Sequence, residues 1–473
     1  MLYDNIMYNM TKKTRLIILF VCVACFLIIA PVLVFYSMGY RFDFEKMQIV
    51  ATGGIYVRTF PAAGQITIDS NIPQKPGLFA NSIFVQSLLP KDHTISIKKD
   101  GYYDYFKTLP VQEKEVTKLE NVLLIKKSIE FRDLADKISY FSITPNNQNI
   151  ITATTGTKNI TFSYYPLNAT NQPQTFSITQ IGKILDIKWS DDSNKALIKI
   201  QNYNNNFYYL FDTTQKAPLK KTEAVRLSYL DKNTQQISFN PQDSQTLFYI
   251  KNKILYSAKG NNSLPIINNI ISFKISGTNI IWLSTKGTLS NSDISGKLIA
   301  NISSKNFSIN NQKTYEIISI YGDTFLKEDN ALFKLKQDTK TFENFSVPIT
   351  SYKILTSPDN KNLIYWDSNE IYLYSFIQLK GYSEYEKIFS GGQITNCQWL
   401  NNDYIILTAG DKIIISEIDY RGNINAVTLP QTAVISSDKK IEIKSPEIFF
   451  NQQENKLYIL TNTTLLVSEK LVP

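Results

Sequence analysis

The chain has 473 residues, 43% of them apolar and 12% aromatic, with 28 Tyr and 27 Phe. That inventory can build a large core, and it excludes an intrinsically disordered chain. The net charge of +9 is the small difference between 50 Lys and Arg and 41 Asp and Glu. Only Lys12, Lys13 and Arg15 cluster, whereas a nucleic-acid binder gathers its cations on one face, so no nucleic-acid partner is expected.

Residues 1–15 read as a short cytoplasmic leader. From Leu16 to Tyr36 no residue is charged, and at ~1.5 Å per residue that run covers about 30 Å, the hydrocarbon thickness of a bilayer. A membrane helix over 16–38 is expected, with the lipid bilayer as its partner and Pro31 as a tolerated kink. Arg41 and Lys46 beyond the run are balanced by Asp43 and Glu45. The positive-inside rule therefore leaves the N-terminus cytoplasmic and the remainder extracytoplasmic. A cleaved signal peptide, with Ser37-Met38-Gly39 as its small-residue site, is the competing reading; its apolar region would be about 7–15 residues, shorter than this one. A lipoprotein site at Cys25 is a third, weakened because the apolar run continues through Phe26-Leu27-Ile28-Ile29. The C-x-x-C spacing of Cys22 and Cys25 fits small apolar fillers in a lipid-embedded helix. With Cys397 standing alone, no disulfide framework exists.

Residues 39–52 read as a juxtamembrane connector, and 53–125 as a small β domain. Ile55–Val57, Ile66–Ile68, Ile83–Val85, Thr94–Ile97 and Lys107–Leu109 alternate apolar and polar residues, the signal of half-buried strands. Pro61 with Gly64, Pro76-Gly77, Pro90-Lys91-Asp92 and Asp100-Gly101 supply turns. A β-sandwich of about seventy residues is expected, near the lower size limit for folding without disulfides or metals. The wording of this stretch resembles the PEGA domain of bacterial envelope and surface proteins. The resemblance rests on G-x-I-x-V-x-T-x-P-x-x-A/G-x-I-x-I-D from Gly54 to Asp69, L-P-x-x-H-x-I-x-I from Leu89 to Ile97, and K-x-G-Y from Lys99 to Tyr102. Pro61-Ala62-Ala63-Gly64 replaces the naming tetrad, and Asp69-Ser70-Asn71 followed by Pro76-Gly77 replaces its D-G-x-x-x-G. The resemblance implies an extracytoplasmic, non-catalytic surface or cell-wall contact module.

From 126 to 473 the chain repeats a strand, a polar turn and a second apolar strand. The clearest copies start at Phe141, Ile187, Ile237, Ile354, Cys397 and Ile448, with weaker ones at Phe273 and Ile318. The residues before the turn are Ile143, Trp189, Phe239, Ile275, Ile320, Thr356, Trp399 and Phe450. Their spacing fluctuates around the ~40–50 residues of a four-stranded propeller blade. An all-β chain is expected, with a β-propeller of seven or eight blades after the sandwich. Ser357-Pro358-Asp359 to Leu363 gives this part a resemblance to WD-like and TolB-like repeats, without their G-H and W-D pairs. The last copy holds about three strands, and Ser128-Ile129-Glu130-Phe131-Arg132 is placed to supply a fourth and close the ring.

Candidate chemistry is sparse. The single histidine, His93, excludes a site of several imidazoles and lies in the turn Leu89–His93, where a structural role is expected over a Ser-His-Asp triad. Asp191-Asp192, Glu328-Asp329 and Asp359 sit in tight turns, where carboxylates serve the local backbone. Asp419–Asn425 lacks the acidic pattern and the bidentate Glu of a calcium hand and reads as a hairpin turn. No phosphate loop or dinucleotide fingerprint occurs. Trp189, Trp282, Trp366 and Trp399 are expected between blades. No catalytic, metal or cofactor residue is assigned. Tyr102, Tyr103, Tyr105 and Phe106 in GYYDYF are the candidate contact surface, since some of them should alternate outward. The function expected is non-enzymatic binding or scaffolding, with a cell-wall polymer or an envelope protein as partner. The alternative is a carbohydrate-active hydrolase or lyase, which requires carboxylates from different blades to meet at the channel.

Overall fold

A computed structural model describes residues 12–69, 74–77, 81–167, 173–214, 224–320, 322–345, 353–377, 385–435 and 439–472. Most of the leader, residues 1–11, lies outside them, as do Ser70 and Asn71. The chain divides into two compact units. The first runs to Ser128 and includes Tyr420–Asn425; the second holds Ile129–Asp419 and Ala426–Leu471.

The first unit begins with α1 (Lys12–Ser37), in which no residue is buried. It is the one described helix long and apolar enough to cross a membrane. Gly39 ends the helical path at φ +85°, a conformation that costs glycine little. Where a connector was expected, β1 (Tyr40–Asp43) and β2 (Gln48–Ala51) form an antiparallel hairpin. Asp43 builds its turn, because one carboxylate oxygen accepts the backbone N–H groups of Glu45 at 2.9 Å and Lys46 at 3.2 Å.

Six strands follow: β3 (Gly53–Phe60), β4 (Gln65–Ile68), β5 (Ser82–Leu88), β6 (Asp92–Lys98), β7 (Tyr105–Pro110) and β8 (Val116–Leu123). They form two three-stranded sheets, β5-β3-β8 and β4-β6-β7. The period-two alternation in β6 and β7 sends Ile95, Ile97, Tyr105 and Leu109 inward, against Ile55, Val57 and Leu119 of the other sheet. This is the expected sandwich. β8 adds a strand that the turn pattern did not mark, and it pairs parallel to β3.

The second unit contains eight four-stranded antiparallel sheets and one two-stranded sheet among the described residues. Each of the eight pre-turn residues lies in the first strand of one four-stranded sheet. Shared cores join neighbours in the ring. Ile151 and Phe162 pack with Ile187 and Ile198, Leu197 with Leu247, Phe248 with Phe273, Leu283 with Ile317, and Phe325 with Tyr365. Tyr458 and Val467 of the last sheet pack with Ile143 and Ile150 of the first. The last sheet takes its fourth strand from β9 (Phe131–Ala135), which pairs antiparallel with Thr464–Lys470. Radial repetition closed in this manner defines a β-propeller.

The turn after the first strand is built alike in three sheets. The hydroxyls of Thr144, Ser190 and Ser357 donate to Asn146, Asp192 and Asp359 at 2.7, 2.6 and 2.7 Å. The same hydroxyls accept the N–H groups of Asn149, Lys195 and Asn362 at 3.0, 2.9 and 2.9 Å. Side-chain partners thus replace the ladder bonds that the chain gives up at the reversal.

Candidate functional site

Four consecutive first strands in the second unit line one cavity of about 610 Å³. Lys183–Trp189 contributes Asp186, Lys188 and Trp189; Thr234–Asn240 contributes Gln235, Gln236 and Ser238; Ile270–Ser276 contributes Lys274; Tyr315–Ile320 contributes Glu316. Lys199 and Tyr208 enter from the second and third strands of the Asp186 sheet. Their convergence makes the first strands the inner strands of the ring.

Long polar side chains stitch inner strand to inner strand. The Lys188 ammonium donates to the Ile237 carbonyl at 2.6 Å. Gln236 accepts the Phe273 N–H at 2.9 Å and donates to Ser272 Oγ at 3.2 Å. Gln398 repeats the device, accepting the Phe450 N–H at 2.9 Å and donating to the Ile448 carbonyl at 2.7 Å. Trp189 and Trp399 reach back to the preceding sheet, donating to Ser142 Oγ at 2.9 Å and the Leu355 carbonyl at 3.3 Å. These two bridge sheets as expected; Trp282 bonds Ser292 within its own sheet.

Electrostatics follow from this placement. Protein surrounds the Lys188 ammonium on several sides although water still reaches it, and that burial pushes it below the ordinary lysine range despite Asp186, Asp191 and Glu316. Burial lowers Lys274 in the same way against the pull of Glu316. Three lysines and three carboxylates line the cavity, which leaves it polar and balanced in sign, suited to a ligand carrying both donors and acceptors.

The carboxylate pairs separate. Asp191 lines the cavity, whereas Asp192 serves its turn. Burial works to raise the Asp192 carboxyl, but bonds from Ser190, Asn194 and Ser244 outweigh it and bring it down to about 2. Glu328 is buried beneath Tyr315 Oη at 2.6 Å and Lys313 Nζ at 2.8 Å, and Asp329 accepts the Thr314 N–H at 2.7 Å. No group of three or more His, Cys, Asp or Glu able to hold a metal occurs among the described residues.

In the sandwich, His93 is buried, with Nδ1 against the Asp69 carboxylate and Nε2 at 2.8 Å from the Leu89 carbonyl. The aromatic group is split. Tyr105 belongs to the core and Tyr102 packs against it, which removes Tyr105 from any contact surface. Tyr103 is half-buried and Phe106 is exposed.

Tyr420–Asn425 joins an antiparallel pair as expected, yet it also completes the first unit. Asn423 donates to the Phe106 carbonyl at 2.7 Å and accepts the Thr108 N–H at 3.0 Å, while buried Lys107 donates to the Asn423 carbonyl at 3.0 Å. Gly422 has φ +65°, and a Cβ there would lie 2.0 Å from the Thr108 carbonyl oxygen, so no larger residue fits.

No family model matches the chain, and no curated protein matches it. Among solved structures, BamB from Moraxella catarrhalis is similar at 10% identity and a TM-score of 0.43, over 72% of this chain and 97% of that one. Hsv2 from Kluyveromyces marxianus is similar at 7% identity and a TM-score of 0.39, over 65% and 99%. Hsv2 from Kluyveromyces lactis is similar at 11% and 0.39, over 65% and 100%.

Proposed function

We propose that the chain is a membrane-anchored binding or scaffolding protein outside the cytoplasmic membrane, whose partner is a cell-wall polymer or another envelope protein. In this reading, residues 1–15 are a cytoplasmic leader, 16–38 the anchor, 39–52 the juxtamembrane segment, 53–125 a PEGA-like sandwich and 126–473 an eight-bladed propeller. The observation that carries it is α1, an apolar helix with none of its residues buried, followed among the described elements by β-strands alone. Such a helix finds no core to enter and is at home in lipid. The balanced cavity on the inner strands, with the broad ring around it, supplies the recognition surface.

Two experiments test the reading. Protease added to intact spheroplasts should degrade the second unit, and full protection would overturn the orientation. The soluble part, residues 41–473, should be retained by purified cell wall or by one envelope component. Loss of retention in Lys188→Ala would place that contact at the cavity, and equal retention would move it elsewhere.

A hydrolase or lyase is the second reading, favoured by one observation: Asp186 and Asp191 from one sheet line the same cavity as Glu316 from another. Glycoside cleavage needs two such carboxylates. Incubation with cell-wall glycan decides between them. Release of reducing ends that Glu316→Gln abolishes would establish the enzyme; retention without release would leave binding as the function.

A further inference from the structure

The β1–β2 hairpin presents four large apolar side chains to the outside. Phe42 is 42% exposed, Phe44 80%, Met47 72% and Ile49 62%. Phe42 stands directly opposite Ile49 across the pair, and the Phe42 and Phe44 rings meet edge to face at 5.0 Å. Asp43 and Val50 are buried instead, so the hairpin has one covered face and one bare apolar face. A soluble two-stranded ribbon gains nothing from that arrangement.

The hairpin is also held firmly to the end of α1. Thr52 donates to the Gly39 carbonyl from its backbone N–H at 2.9 Å and from its hydroxyl at 2.6 Å. Arg41 donates to the Tyr36 carbonyl at 2.8 Å and lies 3.5 Å over the Tyr36 ring. On the other side, Arg41 reaches Ser87 at 3.0 Å and Lys91 pairs with Glu45 at 2.8 Å. Tyr40, two residues before Phe42 on the same strand face, meets the Phe35 ring of α1 edge to face at 5.7 Å. The apolar face therefore continues the apolar surface of the helix, where Phe35 and Tyr36 are exposed at 49% and 59%.

We propose that this hairpin is a second membrane-contacting element, with Phe42, Phe44, Met47 and Ile49 seated in the headgroup layer of the leaflet where α1 ends. It rests on the reading of α1 as a membrane helix. The headgroup layer adds about 5–7 Å on each side of the hydrocarbon, and aromatic side chains concentrate there. Lys46, exposed in the turn between Phe44 and Met47, suits lipid phosphates, while Lys91 balances Glu45.

The test uses the full chain with Phe44→Trp, and separately with Ile49→Trp, in phosphatidylcholine vesicles brominated at shallow or deep acyl positions. Subtracting the wild-type spectrum removes the four native tryptophans. The added emission should be quenched several-fold more by shallow than by deep bromines in both variants. Added emission that neither lipid quenches would overturn the proposal, whether it is red-shifted by water or blue-shifted beneath a protein partner. Alkaline carbonate extraction and flotation separate the two levels. Vesicle-bound protein with unquenched tryptophan sinks the hairpin contact and leaves the anchor standing. Protein stripped from the vesicles sinks the anchor, and the hairpin contact with it.

Discussion

His93 holds two places in the sandwich together, the Asp69 carboxylate at the end of β4 and the Leu89 carbonyl in the turn before β6. His93→Ala removes both bonds inside a buried pocket; the one to the Asp69 carboxylate is worth roughly 1.5–3 kcal/mol and the one to the neutral Leu89 carbonyl roughly 0.5–1.5 kcal/mol. A loss of about 2–3 kcal/mol, read from denaturant midpoints, is expected. The structural role of His93 was legible because a lone histidine has no second imidazole to work with, although the structure places it in β6, opposite Leu109, and not in the turn before that strand. Cys397 makes the opposite case. Burial pushes its thiol well above the ordinary range, and only the thiolate reacts. A maleimide at neutral pH should leave Cys397 unmodified in the native protein and label it once the second unit unfolds; rapid native labelling would contradict the buried placement.

At the scale of elements, the polar turns were readable as turns, though not as a hydroxyl paired with a carboxylate or amide two residues on. Burial works to raise Asp359, but the Ser357 hydroxyl and the Lys361 N–H lower it, as comparable bonds lower Asp192. Folded values thus lie below the unfolded carboxylate value near ~3.9. The stabilisation is complete above about pH 4 and is lost as pH falls toward 2. Melting temperatures of wild type should therefore drop below pH 4. In Asp192→Asn/Asp359→Asn the drop should be shallower, because Asn146 already fills the equivalent place beside Thr144. An identical acid limb in both proteins would refute this. The inner-strand stitching was not legible. Lys188 and Gln398 each precede a pre-turn residue, a spacing that could have marked them. A single Lys or Gln in a strand still reads as an outward-facing residue until its neighbouring sheet is known. β1 and β2 escaped for a related reason: four residues with charges between them carry too little alternation to register.

For the whole molecule, a propeller of seven or eight repeats and the fourth strand of the last sheet could be read in advance, because period-two strands and polar turns recur at intervals that fluctuate around ~40–50 residues. The parallel pairing of β8 and the part of Tyr420–Asn425 in the first unit could not, since both depend on contacts distant in sequence. Ring closure rests on β9, whose Phe131 is buried opposite Ser468. Phe131→Ala should cost about 3 kcal/mol through lost burial and a residual cavity. Calorimetry should show that loss in the second unit's transition alone, with the first unit's unchanged.

That closure sets a clock on biosynthesis. Glu130 and Glu469, bonded at the seam, stand 339 residues apart. At ~5–20 residues per second, roughly 20–70 s separate the making of β9 from the making of the strand it pairs with. The first strand of the ring to leave the ribosome is thus the last to find its neighbour. Through that interval it is an open edge, free to pair with another chain.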